Sequence, residues 1–190
     1  VRPGTIKDDL FRRDFTINAI AIELNPGRYG QLLDLYGGND DIEHKLVRIL
    51  HEKSFIDDAT RIWRALRYEQ RLGFRLEPLT LKLLKRHINY LDMISGDRIR
   101  HELELALKEE CPEKVLRRAD ELGVLVKLHP ALRGDDWLAE KLAQARQVAT
   151  EVPSVGLYLA LLAYRLTGVE VEQLISYLKL PRTTARNLRD

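Results

Sequence analysis

The sequence predicts a mainly α-helical fold with a short β-hairpin near its N-terminal end. Two apolar stretches, residues 18–24 and 31–36, flank the turn-forming segment 25–30, which is the pattern of a hairpin. Beyond Gly37 and Gly38, apolar residues recur at helical spacing to the end of the chain. Because a two-stranded ribbon is marginal on its own, we expect the hairpin to belong to a larger sheet.

Start signals mark several of the helices. Asp57 and Asp58 stand ahead of an amphipathic run, Asn39 is a plausible N-cap, and Pro112 and Pro181 suit first helical turns. The predicted helices cover residues 39–45, 58–72, 78–90, 95–109, 112–122, 135–149, 154–166, 170–178 and 181–189.

The change of pattern divides the chain into three parts. Residues 1–45 carry the hairpin, residues 46–110 form a helical middle, and residues 111–190 form a helical end. The sequence has no fixed-period repeat, so we expect consecutive helical layers and not a solenoid.

Composition limits the class of protein. With 190 residues, 45% of them hydrophobic, the chain can build a core, and its net charge of +2 leaves any nucleic-acid role to the distribution of its arginines. Cys111 is the only cysteine and is expected to be a half-buried packing residue, which suits a reducing cytoplasm. The longest apolar run, near residues 155–163, is too short for a bilayer, so we expect a soluble protein without a membrane partner. The start lacks both Met and a signal-peptide pattern, which favours a processed chain or a fragment.

Four arginines line one face of the helix predicted over residues 58–72. At about 100° per residue they fall within an arc of roughly 120°, and they are Arg61, Arg64, Arg67 and Arg71. Their mutual repulsion favours an anion between them, and a triphosphate is the natural candidate. The alternative is a solvated face whose charges pair with acidic residues of other helices, and periodicity alone leaves both open.

Asp58 and Arg61 add a possible base-recognition pair at the start of this helix. Three residues apart, they can present a carboxylate beside a guanidinium. Adenine and cytosine both carry an amino group next to a ring-nitrogen acceptor, which this pair would satisfy, whereas guanine and uracil have the opposite pattern. Such a bidentate contact discriminates by about 1–3 kcal/mol. The local alternative is that Asp57 and Asp58 only cap the helix.

The segment Asp-Asp-Ala-Thr-Arg at positions 57–61 resembles the Glu-Asp-x-x-Arg motif of class II nucleotidyltransferases, the family of tRNA CCA-adding enzymes and bacterial poly(A) polymerases. Its first Asp stands where the family usually has Glu. The resemblance implies that Asp58 and Arg61 read the base, and that Arg64 and Arg67, which follow in register, support the base reader or the triphosphate.

Residues 9–19, Asp-Leu-Phe-Arg-Arg-Asp-Phe-Thr-Ile-Asn-Ala, are similar to the Arg-Arg-Asp signature of the same family. The resemblance implies that Arg13 and Asp14, together with Arg12, hold the phosphate and a ribose hydroxyl of the nucleotide. Without the family, Arg12 and Arg13 would be ordinary surface charges.

Two shorter motifs follow. Asp-Leu-Tyr-Gly-Gly at residues 34–38 resembles the family's hinge between head and neck. The segment that starts at Asp97 is similar to Glu-Arg-x-x-x-Glu, and it implies that Arg98 and Glu102, one helical turn apart, brace the neck, with Asp57 as a further supporting residue. An exposed ion pair of little energetic value is the alternative.

The four motifs occur in the family's order. The resemblance therefore implies that residues 1–45 are the C-terminal part of an α/β nucleotidyltransferase head, that residues 46–110 are a nucleotide-selecting, RNA-binding neck, and that residues 111–190 are a body holding the RNA end. Candidate phosphate contacts in this body are Arg117, Arg118, Lys127, Arg133, Lys141, Arg182, Arg186 and Arg189.

No catalytic or metal-binding residue is predicted in this chain. His101-Glu102 begins like a zinc motif, but Leu105 stands where the second His is needed. The family's Asp-x-Asp pair and its Gly-Gly-x-Val-Arg-Asp segment are absent, and Asn39-Asp40-Asp41 occurs in the wrong order to replace them. Nucleotidyl transfer needs metal ions held by carboxylates, so magnesium is expected to bind residues outside this chain. The chain by itself is therefore expected to be inactive.

The leading hypothesis is a template-independent RNA nucleotidyltransferase. It would transfer AMP, with CMP left open, from ATP or CTP to an RNA 3′ end, above all that of tRNA, in the cytoplasm. The motifs are shared by CCA addition, A addition and poly(A) synthesis. Two other classes stay open, a non-catalytic RNA-binding helical module and a structural adaptor whose arginines contact protein acids.

Overall fold

The computed structural model describes residues 4–189 and confirms a mainly α-helical fold with a short hairpin. In chain order the helices and strands are α1 (Ile6–Phe11), β1 (Ile20–Ile22), β2 (Leu32–Asp34), α2 (Gly38–Glu43), β3 (Leu46–Val47), α3 (Ser54–Asp57), α4 (Thr60–Leu72), β4 (Arg75–Leu76), α5 (Pro78–His87), α6 (Gly96–Leu107), α7 (Pro112–Glu121), α8 (Asp136–Val148), α9 (Val155–Ala163), α10 (Gly168–Leu178) and α11 (Arg182–Arg189). Short 3-10 turns cover Thr16–Asn18, Ile88–Met93 and Leu125–Lys127.

The hairpin forms where it was expected. β1 and β2 pair antiparallel, with Ile20 opposite Asp34 and Ile22 opposite Leu32, and the turn between them uses positive φ angles at Gly27 and Gly30. Within the described residues it is a separate two-stranded sheet, so the larger sheet stays an expectation.

Two features escaped the sequence analysis because they are short. α1 has only six residues, and its start is fixed by a capping box in which Thr5 and Asp8 exchange hydrogen bonds. β3 and β4 pair in parallel over two residues each, with Val47 opposite Leu76. Neither length is enough to show a periodicity.

The start signals at two helices are corrected by the structure. α4 begins at Thr60, while Asp57 ends α3 and Asp58 is extended, with φ −151° and ψ 99°. Asp58 still serves the start of α4, because its carboxylate accepts hydrogen bonds from the amide and hydroxyl of Thr60. Asn39 is not an N-cap. The amides of Gly38 and Asn39 instead donate to the carboxylate of Asp34, at 2.8 Å each.

One hydrophobic core runs through all three parts of the chain. It includes Phe15 before the hairpin, Trp63 on α4, Leu103 on α6 and Leu159 on α9, each at most 2% exposed. α4 is the central element, with packing contacts to α3, α6 and α7, so its apolar face is fixed in position and its arginine face is aimed by that packing.

Two expectations drawn from composition can be compared with the structure. Cys111, which precedes α7, is half-buried as expected. Among the described residues, no helix is both long enough and apolar enough to cross a bilayer. The division at residues 45 and 110 stays a prediction.

Candidate functional site

Asp14 is the buried centre of the site. Its side chain is 4% exposed, and Oδ1 accepts hydrogen bonds from the Phe15 amide and from Asn18 Nδ2, both at 3.0 Å. Oδ2 lies 2.7 Å from Arg64 Nη2 of α4. Since a buried carboxylate is stable only when paired, this contact fastens the segment after α1 to α4.

Arg61 makes the second connection between the same two segments. Its Nη2 donates to the backbone carbonyl of Arg12 at 2.9 Å, across 49 residues of sequence. Its Nη1 donates to Ser54 Oγ at 2.8 Å. The two motifs that the sequence analysis singled out separately are therefore neighbours in space.

Asp58 is held by two groups that keep it ionised. Thr60 Oγ1 donates to Oδ1 at 2.7 Å, and Arg98 Nη2 lies 3.0 Å from both carboxylate oxygens. Burial raises the pKa of Asp58, but the hydrogen bonds from Thr60 and the charges of Arg98 and Arg61 outweigh it, so the pKa falls below the usual 3.8. At neutral pH the carboxylate is an acceptor only, and it is 27% exposed.

The predicted base-reading pair is therefore only partly available. Arg61 uses three of its donor positions on Ser54 and on the Arg12 carbonyl, out of about five in a guanidinium. Asp58 keeps exposed acceptor capacity. A base edge would have to use the remaining donors of Arg61 or replace one of its protein contacts.

Arg98 and Glu102, which were expected to brace the neck, make different contacts. Arg98 binds Asp58, whereas Glu102 is buried and its Oε2 has no hydrogen-bond partner within residues 4–189. Burial raises the pKa of Glu102, although the positive charges of Arg64 and Arg67 oppose this. The sequence could show only that two residues share a helix face, while packing decided where each side chain points.

Three of the four arginines on this face of α4 have acidic partners within the chain. Arg64 pairs with Asp14, Arg67 Nη1 lies 3.2 Å from Glu109 Oε1, and Arg71 Nε lies 3.9 Å from Glu109 Oε2. Pairing with acidic residues, which periodicity had left open, is therefore present, and contact of the exposed part of Arg64 with a triphosphate stays a prediction. Arg67 is held by Glu109 and not by the segment around Asp14, so the structure separates it from Arg61 and Arg64.

The remaining predicted residues lie at the surface. Arg13 is 53% exposed and pairs with Asp9 at 2.7 Å, and Arg12 is exposed with its Nε donating to the Asp8 carbonyl. Both guanidiniums are accessible to a phosphate. Asp57 is 56% exposed, with only a loose contact of 3.8 Å to His51.

Asp14 is not placed for direct contact with a ribose, because its Oδ2 is buried beneath Arg64.

Sequence reasoning missed two side chains of this site. Thr60, two residues after Asp58, could have been found from the local turn pattern, whereas Ser54 is joined to Arg61 only by the packing of α3 on α4.

The part of the chain that the structure describes does not fit a magnesium site. Across residues 4–189 there is no group of three or more His, Cys, Asp or Glu side chains arranged to hold a metal ion. Asp14, the best placed carboxylate, is committed to Arg64.

The sequence matches two protein families. Residues 2–48 match the poly A polymerase head domain, and residues 73–135 match a probable RNA and SrmB-binding site of polymerase A. The second match covers the segment from the end of α4 to the start of α8.

Named relatives agree with these matches. An A-adding tRNA nucleotidyltransferase of Geobacter sulfurreducens is 43% identical over 134 residues, which are 70% of this chain and 15% of that protein. A CCA-adding enzyme solved with ATP is 37% identical, with a TM-score of 0.83 over 97% of this chain and 46% of that one. A Thermotoga maritima CCA-adding enzyme in complex with tRNA gives the same identity and TM-score, over 97% and 47%.

The chain spans about half the length of these solved proteins. The four motifs, their meeting around α4, and the matches of both sequence and structure lead to one conclusion. The chain belongs to the family of tRNA nucleotidyltransferases and poly(A) polymerases.

Proposed function

We propose that this chain is the nucleotide-selecting and RNA-binding part of a template-independent RNA nucleotidyltransferase. The protein would add AMP, with CMP as a second candidate, from the triphosphate to the 3′ end of tRNA. The observation that carries the proposal is the double connection of α4 to one segment, by Arg61 to the Arg12 carbonyl and by Arg64 to Asp14. It brings the groups suited to a base and those suited to phosphates to one place.

Each residue has a role that its environment supports. Asp58, ionised and partly exposed, accepts from the amino group of adenine or cytosine, and Arg61 donates to the adjacent ring nitrogen. Arg13, which is exposed, contacts the triphosphate, and so does the exposed third of Arg64. Asp14 is a positioning residue that fixes Arg64.

The proposed reaction also needs a metal ion. Nucleotidyl transfer uses magnesium held by carboxylates, and residues 4–189 contain no suitable group. We place the magnesium ligands outside this chain, and the role of the chain is substrate selection. The single cysteine is compatible with a reducing cytoplasm, where we propose that the protein acts.

The partner proposal rests on the relatives and on charge. A relative of the same fold was solved in complex with tRNA, and another with ATP. The match of residues 73–135 to a probable RNA-binding segment favours contact with RNA along α5, α6 and α7. The same match supports a second candidate, a non-catalytic RNA-binding module.

The proposal is tested by giving the protein a tRNA that lacks its 3′ terminus. The incorporation of each of the four nucleotides is then measured. Arg61→Ala is expected to reduce the preference for ATP and CTP over GTP and UTP by about 10- to 100-fold, since a bidentate contact is worth about 1–3 kcal/mol. Arg86→Ala, which removes an exposed arginine of α5, is the matched control and should leave the preference intact.

Unchanged selectivity in Arg61→Ala would refute the base-reading role. Binding of tRNA without any incorporation would favour the non-catalytic module. The products distinguish the members of the family, because a single A, a CCA end and a long A tail differ in length and composition.

A further inference from the structure

A cavity of about 610 Å³ lies where the C-terminal ends of α4 and α6 meet the start of α7. It is lined by more positive than negative side chains. The charged lining residues are Arg67, Arg71, Lys108, Lys114, Glu109 and Glu110.

The cations of this cavity are not neutralised by its acids. The carboxylate of Glu109 serves two guanidiniums, at 3.2 Å from Arg67 and at the looser distance of 3.9 Å from Arg71. Lys108 and Lys114 are exposed and have no acidic partner within 4 Å among residues 4–189. A positive excess therefore faces the cavity.

Arg67 is the buried cation of this cavity. It lines the cavity, only 9% of it is exposed, and its Nε has no hydrogen-bond partner in the part of the chain that the structure describes. Because Nε has no exposed surface and Nη1 is held by Glu109, Arg67 contributes a fixed positive charge to the cavity wall.

The first turn of α7 adds to the same potential. α7 has ten residues, and Cys111, its N-cap, makes no side-chain capping bond. Cys111, Lys114 and Val115 all line the cavity, so the positive end of the helix dipole lies at its wall.

We propose that this cavity binds a phosphate group. Guanidinium and ammonium groups are the donors that recognise phosphate oxygens, and four of them line this cavity. The phosphate can be a phosphodiester of bound RNA or free inorganic phosphate. Only the RNA source rests on the proposed function, since the chemistry of the cavity is independent of the base reader.

Cys111 is a built-in reporter for this cavity, because it is the only cysteine of the sequence and lies in the cavity wall. The rate at which a thiol reagent modifies Cys111 would be measured by peptide mass spectrometry, with tRNA lacking its 3′ terminus in one arm and inorganic phosphate in the other. Ligand at about nine times its Kd should slow the modification about tenfold.

The two arms identify the source. Slowing by tRNA alone supports an RNA phosphodiester, and slowing by inorganic phosphate, with or without tRNA, supports a site for the free anion. No slowing in either arm overturns the proposal.

A matched pair of variants shows that protection acts through the cavity. Lys108→Ala/Lys114→Ala should abolish it, whereas Lys7→Ala/Lys45→Ala, which removes the same charge from two exposed positions outside the matched RNA-binding segment 73–135, should keep it. If tRNA is the ligand, the logarithm of tRNA affinity should also depend less steeply on the logarithm of salt concentration in the Lys108→Ala/Lys114→Ala variant. The slope should become shallower by about 0.7–0.9 for each phosphate contact that is lost.

Equal protection in both variants overturns the proposal. This failure is separate from that of the proposed function, because nucleotide selectivity in Arg61→Ala depends on the other end of α4. A protein that keeps its selectivity and shows no protection of Cys111 would contradict the phosphate cavity alone.

Discussion

Arg98 Nη2 lies 3.0 Å from both carboxylate oxygens of Asp58 and thereby joins α6 to the start of α4. The two residues are 40 positions apart and belong to two different motifs of the sequence. Arg98 was expected to brace the neck, and in the structure the residue that it contacts is Asp58 of the proposed base reader.

This contact makes stability depend on pH through Asp58. Its pKa is lowered in the folded protein, so its contribution is present above the ordinary value of 3.8 and is lost as the pH falls through the lowered value. Asp58→Asn should therefore reduce the free energy of unfolding at pH 7 and change it much less near pH 2. Denaturant titrations at the two pH values measure this, and an equal loss at both would contradict it.

Glu102 should show the opposite trend. Burial raises its pKa above 4.5, so the protonated form supports the fold, and this contribution is complete below 4.5 and is lost as the pH rises through the raised value. Glu102→Gln should gain stability relative to the parent between pH 4 and pH 8. The difference in free energy of unfolding between Glu102→Gln and the parent could instead stay constant over this range, or change in favour of Glu102. Either result would show that the positive charges of Arg64 and Arg67 outweigh the effect of burial on Glu102.

The connection between Asp14 and Arg64 should be measurable as stability. Arg64→Ala leaves the buried Oδ2 of Asp14 without a partner, which costs about 1–3 kcal/mol. At about 2–4 °C per kcal/mol for a chain of this size, Tm should fall by at least about 2 °C. Arg86→Ala is the control, since an exposed arginine away from such a network changes stability by about 0.5 kcal/mol or less.

A kinetic measurement separates the structural role of Arg64 from contact with the triphosphate. If Arg64 touches the substrate, KM for ATP should rise at temperatures where the variant is fully folded. A double-mutant cycle with Asp14→Asn gives the coupling of the pair, and a coupling near zero would refute the positioning role of Asp14.

The packing of α6 on α10 predicts a contrast between two glycines. A Cβ at Gly96 would overlap the carbonyl oxygen of Tyr177, so Gly96→Ala must push the two helices apart and should lower Tm by several degrees. A Cβ at Gly168, the first residue of α10, would meet no atom of residues 4–189 within 4 Å, and Gly168→Ala should stabilise by about 0.4–1 kcal/mol. Thermal unfolding of both variants is the test, and similar Tm values would contradict it.

The local features of this protein could be predicted from its sequence. The hairpin of β1 and β2, and the amphipathic run that becomes α4, each repeat a pattern over enough residues to be recognised. The ordered motifs around Asp14 and Asp58 pointed to the family that the matches confirm. α1 and the parallel pair β3–β4 were missed because six and two residues carry too little pattern.

Sequence alone thus determined the class of fold, the family, and which face of α4 carries the arginines, because these follow from local periodicity and from the order of motifs along the chain. Only the tertiary structure decided the partner of each charge. It paired Asp14 with Arg64, Glu109 with Arg67 and Asp58 with Arg98. Periodicity had left a bound anion open in the first two cases and had given no partner for Asp58 on another helix. The physical reason is that long charged side chains reach across several ångströms, so their partners are set by which helices pack together and not by their spacing in the sequence.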